Sequence, residues 1–211
     1  MQLSLDLALT ALVEEVHKQR PRKYVSVADV LACIEHESHG VSTFNSHDQQ
    51  FRDNLAAARK ITGLSDAQIV AAVTINQGPL IGKLSKFRCE PGYYTWAKGF
   101  GAKFTPEEKL LLSCSFGLGQ KMARWLLTGL QQKEYMPTIR QFMSSQKTQI
   151  MYCIGDLDQL MVGTKGDKTL AFARYNAGPG AQVGGATYKG YGTQVAAGAK
   201  KFEELLKGRG A

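Results

Sequence analysis

The chain has no run of about 18 apolar residues, the length a membrane-crossing helix requires, so a transmembrane segment is not expected. It has no recognisable secretory leader. MQLSLDLALTALVEEVHKQR lacks a basic start, carries Asp6 inside the apolar stretch and offers no small-residue cleavage site. The expectation is a protein made in a cytoplasm without an export signal of its own. Cysteine is scarce: Cys33, Cys89, Cys114 and Cys153 are the 4 in 211 residues. None sits in C-x-x-C and no histidine lies at ligand spacing, so a zinc site is not expected. Cys33 and Cys114 fall among apolar residues read as helical. Buried free thiols in a reducing compartment are expected, although the even count allows a disulfide after release to an oxidising space. No block of about five like charges occurs, which excludes a disordered basic tail. No nucleic-acid motif or basic cluster is present, so nucleic acid is not expected as a partner. There is no internal repeat and no linker.

What is present is an ordinary globular composition, 44% hydrophobic and 21% charged. A chain of this length buries enough surface to fold as one domain, and a monomer is expected. There are 26 Lys+Arg against 18 Asp+Glu, a formal charge of +8. Residues 1–60 hold 7 basic and 8 acidic side chains, so the excess lies in the remainder. On charge alone that balance favours an anionic partner: nucleic acid, an acidic membrane or an acidic cell-wall polymer.

The periodic signals are helical. Leu5, Leu9, Leu12, Val13 and Val16 mark one face of a helix expected within 1–24. Ser26-x-x-Asp29 opens VADVLACIEHE, and Ser65-x-x-Gln68 opens a run through Ile69, Val70 and Val73. Thr105-Pro106-Glu107-Glu108 combines an N-cap, a proline at the first helical position and a capping-box glutamate. Further helices are expected over KMARWLLTGL, after Pro137 through Leu157, from TLAFARYN, and over about 193–207. GTKGD at 163–167 reads as a turn and GPGAQVGGATYKGYG as a glycine-rich loop. FRCEPGYYTW is the one place for a short hairpin. The expected fold class is mainly α.

The residues that carry chemistry begin with Ile34-Glu35-His36-Glu37-Ser38-His39-Gly40. Glu35 and Glu37 differ by about 200° around a helix and cannot share a face. Glu37 follows Ile34 by three positions and Cys33 by four, which puts it on the apolar side. A carboxyl packed against apolar side chains keeps its proton more readily, the property a general acid needs near neutral pH. Two other segments stand out. Ser115-Phe116-Gly117-Leu118-Gly119-Gln120 gathers small residues around a glutamine, and Tyr175-Asn176-Ala177-Gly178 closes a helix in glycine. His36, His39 and His47 are read as surface or hydrogen-bonding residues. Trp96 and Trp125, with Tyr93 and Tyr94, are candidate stacking residues, with core packing the favoured reading for Trp125.

In this order the three segments resemble the SLT-type lytic transglycosylases, lysozyme-like glycoside hydrolases whose pattern is E-S, then S-x-G-L-x-Q, then A-x-Y-N-A-G. Glu37-Ser38-His39-Gly40 also resembles the E-S-H-x-G of goose-type lysozymes. KFRCEPGYYTW is similar to an E-P segment of some phage-associated members. The resemblance spans about residues 25–200. Gly119 stands where the family commonly has Met, and the family's final tyrosine motif is matched only loosely, by Tyr191 and Val195. The interval from Glu37 to Gln120 is long, so a single lysozyme-like domain over 1–211 is expected to carry an insertion at about 41–104.

The resemblance implies cleavage of the β-1,4 bond from N-acetylmuramic acid to N-acetylglucosamine. Glu37 is implied as general acid and then base, closing a 1,6-anhydro ring without water, so that no cofactor or metal is required. Ser115, Gln120, Tyr175, Asn176 and Glu90 are implied as substrate contacts, with Tyr175 reaching either the Glu37 carboxyl or the N-acetyl group. Glu90 could instead orient a neighbour, and a structural role is the favoured reading of it. Asp48 and Asp53 stand where a hydrolytic, goose-type enzyme would position a water, with solvation of a polar loop the favoured reading. The implied setting is a phage lysin acting on peptidoglycan strands, held in the host bacterial cytoplasm until release or carried in the virion. The alternatives are a hydrolytic muramidase and a non-catalytic wall-binding or virion structural protein.

Overall fold

The computed structural model of the chain describes residues 6–209, which are mainly helical. They form two compact units. One draws on the chain up to Gly40 and from Ile150 onward; the other is Val41–Gln149. The second unit begins where the insertion was expected but continues well past 104. The cause is pairing: a strand at 114–116 lies against one at 87–89, and the helix that begins at Pro106 packs on two helices before it. Residues after 104 are therefore tied to those before.

The first unit opens with α1 (Leu7–Gln19), capped by Asp6, whose carboxylate accepts from the amides of Ala8 and Leu9. Val13 and Val16 are buried with Leu9 and Leu12 half-buried beside them, so the expected stripe faces inward. Leu5 lies outside the described residues. The helix stops at Gln19, short of the expected 24, because Pro21 disfavours helical backbone at the residue before it. In α2 (Val27–Ser38), Ser26 and Asp29 form the capping box read from the sequence. Asp29 is fully buried, and its second partner is Lys168 Nζ at 2.8 Å. Val30, Leu31, Cys33 and Ile34 are buried, and the helix ends at His39 in the left-handed region.

Beyond α9 (Gln146–Gly163), of which Ile150 onward belongs to this unit, α10 (Lys168–Ala177) is capped by Asp167. The expected glycine-rich loop ends in a π-turn, Tyr188–Gly192, which runs directly into α11 (Thr193–Gly208). That last helix lies along α2. Gly192 marks the closest approach of the π-turn to α10: a Cβ there would sit 2.3 Å from the Thr169 carbonyl oxygen.

The second unit contains α3 (Gln49–Thr62), α4 (Asp66–Val73), α5 (Pro91–Lys98), α6 (Pro106–Leu112), α7 (Ala123–Leu126) and α8 (Tyr135–Met143). The capping boxes at Ser65/Gln68 and Thr105/Glu108 both form. Antiparallel β1 (Thr43–Phe44) and β2 (Leu84–Ser85) make one ladder; β3 (Phe87–Cys89), β4 (Cys114–Phe116) and β5 (Lys121–Met122) make another, in that order. Phe44, Phe51 and Phe87 interlock with ring centroids 5.6–6.4 Å apart.

Four sequence expectations are corrected here. FRCEPGYYTW is not a hairpin: FRC is β3, and Pro91 starts α5 at once. The hairpin is instead β4–β5, turned through Gly117 at φ 72° and Gln120 at φ 45°. It takes Lys121 and Met122 from the helix expected over KMARWLLTGL, leaving four residues as α7, with Gly129 at φ 81° soon after. Cys114 is consequently on a strand. The helix after Pro137 breaks at Ser144 and Ser145, whose hydroxyls bond the Gln141 carbonyl and the Thr148 amide. Among the described residues no helix is long and apolar enough to cross a membrane.

Candidate active site

Glu37 occupies the last turn of α2 and is half-buried. The hydroxyl of Tyr191 donates a hydrogen bond to its Oε1. Tyr191 is delivered by the π-turn, an element that adds a residue to one helical turn and re-aims the side chains within it. The His36 ring stands edge-on to the Tyr191 ring, centroids 4.5 Å apart at 76°. Its neighbour on α2 thus steadies the phenol that holds the carboxyl.

A buried layer lies behind. Cys33 sits one turn before Glu37 and is fully buried, Cys153 comes from α9, and the Tyr175 hydroxyl from α10 lies 3.9 Å from Cys153 Sγ. Burial pushes the Cys33 thiol well up, and Cys153 and the Glu37 charge push it the same way. Burial likewise raises Tyr175, reinforced by the neighbouring thiols. Tyr191 is raised first by burial and then by Cys33 and Glu37. Cys33, Tyr175 and Tyr191 therefore stay protonated at neutral pH. Glu37 thus lies beside protonated Cys33 and Tyr175, with a phenol that donates to its carboxyl. A carboxyl held by a hydroxyl donor at the end of a helix is suited to moving a proton.

The sequence-derived site residues divide between the two units. Glu37, Tyr175 and Asn176 belong to the first; Ser115, Gln120 and Glu90 belong to the second. Tyr175, implied as a contact of the Glu37 carboxyl or of the N-acetyl group, lies in the same cluster with its hydroxyl 3.9 Å from Cys153 Sγ, and Tyr191 is a further hydroxyl bonded to Glu37. Asn176 is exposed at the end of α10. Ser115 is corrected as a sugar contact. It has 0% exposure on the middle strand of its ladder, and its hydroxyl donates to Gln120 Oε1 at 3.0 Å. Gln120 Nε2 in turn donates to the Gly117 carbonyl at 2.9 Å, so the S-x-G-L-x-Q segment closes on itself as the β4–β5 turn.

Glu90 pairs with Arg88 at 2.7 Å and stands at the N-terminus of α5. Asp48 accepts from the Asn45 amide and Asp53 from Gln49 Nε2, both local loop and helix contacts. Among the described residues no group of three His, Cys, Asp or Glu is placed to hold a metal ion. Trp125 is also corrected: it is 53% exposed rather than in the core, with the Arg124 guanidinium over its ring and over those of Tyr93 and Trp96.

The sequence marks Tyr191 only as a loose match and His36 as a surface or hydrogen-bonding residue. The usable signal was a tyrosine between two glycines immediately before a long helix. Comparisons with protein-family models, curated proteins and solved structures find no match to this chain.

Proposed function

We propose that the chain is a peptidoglycan-cleaving enzyme of lysozyme-like, SLT-type architecture that cuts the N-acetylmuramic acid to N-acetylglucosamine β-1,4 bond as a lytic transglycosylase. The observation that carries the reading is the Glu37 carboxyl at the end of α2, held by the Tyr191 hydroxyl beside the buried Cys33 thiol. The ordered resemblance of Glu37-Ser38, S-x-G-L-x-Q and Y-N-A-G supports it from the sequence side.

Glu37 first gives its proton to the glycosidic oxygen as the C1–O bond breaks and an oxocarbenium-like sugar develops. The substrate's own N-acetyl oxygen stabilises that cation, so a second carboxylate is not required. Glu37, now ionised, then takes the proton of the C6 hydroxyl, whose oxygen closes on C1 to form the 1,6-anhydro ring. The enzyme ends as it began, protonated at Glu37. Throughout, Tyr191 keeps one carboxyl oxygen in place, so that the carboxyl plane is the same for both transfers. The proposed setting is a phage lysin, free in the infected cell or carried on the virion.

Mass spectrometry of digested glycan strands tests the reaction. Anhydro ends support transglycosylation, and ends heavier by one water mean a muramidase. Glu37→Gln is expected to lose at least about 10²-fold in rate, the scale of general acid–base catalysis. Wild-type clearing of wall suspensions by that variant would remove Glu37 from the chemistry. Binding to walls with no fragment release by the wild type would make the protein a non-catalytic wall binder.

A further inference from the structure

Among the groups that this reaction does not use, one pair of nucleophilic side chains is placed for chemistry of its own. Cys89 on β3 and Cys114 on β4 are directly opposite in the antiparallel register. Both are free thiols and both are buried, Cys89 at 7% exposure and Cys114 at 0%. The hydrogen-bond pattern fixes the kind of row they occupy. The Glu90 amide donates to the Ser113 carbonyl, and the Gly117 amide donates to the Lys86 carbonyl. Rows 90/113 and 86/117 are therefore hydrogen-bonded, and by alternation 89/114 is a non-hydrogen-bonded row. In such a row the Cα atoms stand about 4.5 Å apart and the side chains on one face come closest. A disulfide spans Cα separations of about 4.4–6.8 Å. No strand movement is needed to join this pair.

We propose that Cys89 and Cys114 are an oxidisable pair that closes to a cross-strand disulfide when the protein meets a small-molecule disulfide such as oxidised glutathione. Cys89 is the attacking sulfur. It keeps some exposed surface, and hydrogen bonds from Cys114 and Ser113 draw its thiol below the ordinary range, whereas burial pushes Cys114 up. Cys89, as thiolate, attacks one sulfur of the oxidant. The oxidant's S–S bond breaks, and one glutathione leaves as its thiolate and is protonated. Cys114 then loses its proton and attacks Cys89 Sγ, displacing the second glutathione. In sum, two cysteine thiols and one small disulfide become one protein disulfide and two small thiols. The bond ties β3 to β4 and encloses α5 and α6 in a covalent loop.

The inference stands apart from the proposed wall cleavage, because its readout is covalent pairing. Folded full-length protein is incubated with oxidised glutathione, quenched with an alkylating reagent, digested and mapped by mass spectrometry. The expected result is a peptide pair joining Cys89 to Cys114, lighter by two hydrogens and separated by reduction. Cys114→Ser is expected to hold one glutathione on Cys89 as an unresolved mixed disulfide. Two alkylated thiols at Cys89 and Cys114 after full exposure of the wild type would overturn the proposal, as would a Cys33–Cys153 link formed in place of theirs. The wild-type map decides the matter even if the variant fails to fold.

Discussion

At the scale of single residues, Tyr191 has one task toward Glu37, to donate, and its burial ensures that it always can. Tyr191→Phe removes the hydroxyl and leaves the ring packed against His36. A hydrogen bond to a charged group is worth about 1.5–3 kcal/mol, so a loss of about 10-fold or more in kcat is expected, with KM little changed. Rates of glycan release and a thermal melt of the same sample check both halves. A pH effect follows from the same cluster. Cys33, Tyr175 and Tyr191 are all raised in the folded state from ordinary values of 9.0 for the thiol and 10.0 for the phenols. A raised group gives stability that is complete below its unfolded value and is lost as pH rises beyond it. Urea midpoints are therefore expected to hold to about pH 9 and then fall, with a shallower fall in Tyr175→Phe. An unchanged slope in that variant would show that Tyr175 plays no part. Glu37 was legible because helical spacing put it on the face of Ile34 and Cys33. Its partner was not: Tyr191 is 154 positions away, and no local pattern encodes that meeting.

At the scale of elements, the turn that carries Tyr191 depends on Gly192. A methyl group there would lie 2.3 Å from the Thr169 carbonyl and 3.2 Å from the Ala173 Cβ, so α10 and the π-turn must separate. Gly192→Ala is expected to cost about 1–3 kcal/mol of stability and to lower activity further by displacing Tyr191. Chemical unfolding alongside glycan release measures the two effects. Helix starts were readable wherever one side chain and one amide three residues on decide them, as at Ser26, Ser65 and Thr105. Elements decided by distant neighbours were not. KMARWLLTGL has a helical pattern, yet Lys121 and Met122 pair with Phe116 and Ser115, and the ladder that holds those two depends on Phe87 and Arg88. Gly117 shows the same dependence. Its φ of 72° and the Gln149 side chain 2.4 Å from an added Cβ leave room for glycine alone. Three motifs in order thus indicated a site, but the S-x-G-L-x-Q segment is engaged first in holding its own turn.

At the scale of the whole molecule, the charge follows the division into units. The unit that holds Glu37 has 12 basic and 11 acidic side chains, whereas Val41–Gln149 has 14 and 7. Nearly all of the +8 therefore lies in the unit without the proposed acid. A field of that sign attracts anionic groups over a screening length of about 10 Å. Lys60, Lys83 and Lys133 are exposed in Val41–Gln149 and have no part in the Glu37 cluster. Reversing all three (Lys60→Glu, Lys83→Glu, Lys133→Glu) is expected to weaken retention on whole cell walls. It should make what retention remains less sensitive to salt, while cleavage of short uncharged glycan fragments stays within about twofold of wild type, because an uncharged fragment gains nothing from a basic surface. Sedimentation with walls across a salt series, paired with fragment release from the short glycan, separates the two roles. Equal losses in both assays would mean that the basic unit takes part in the cleavage step itself, and the assignment of its charge to attraction alone would fall.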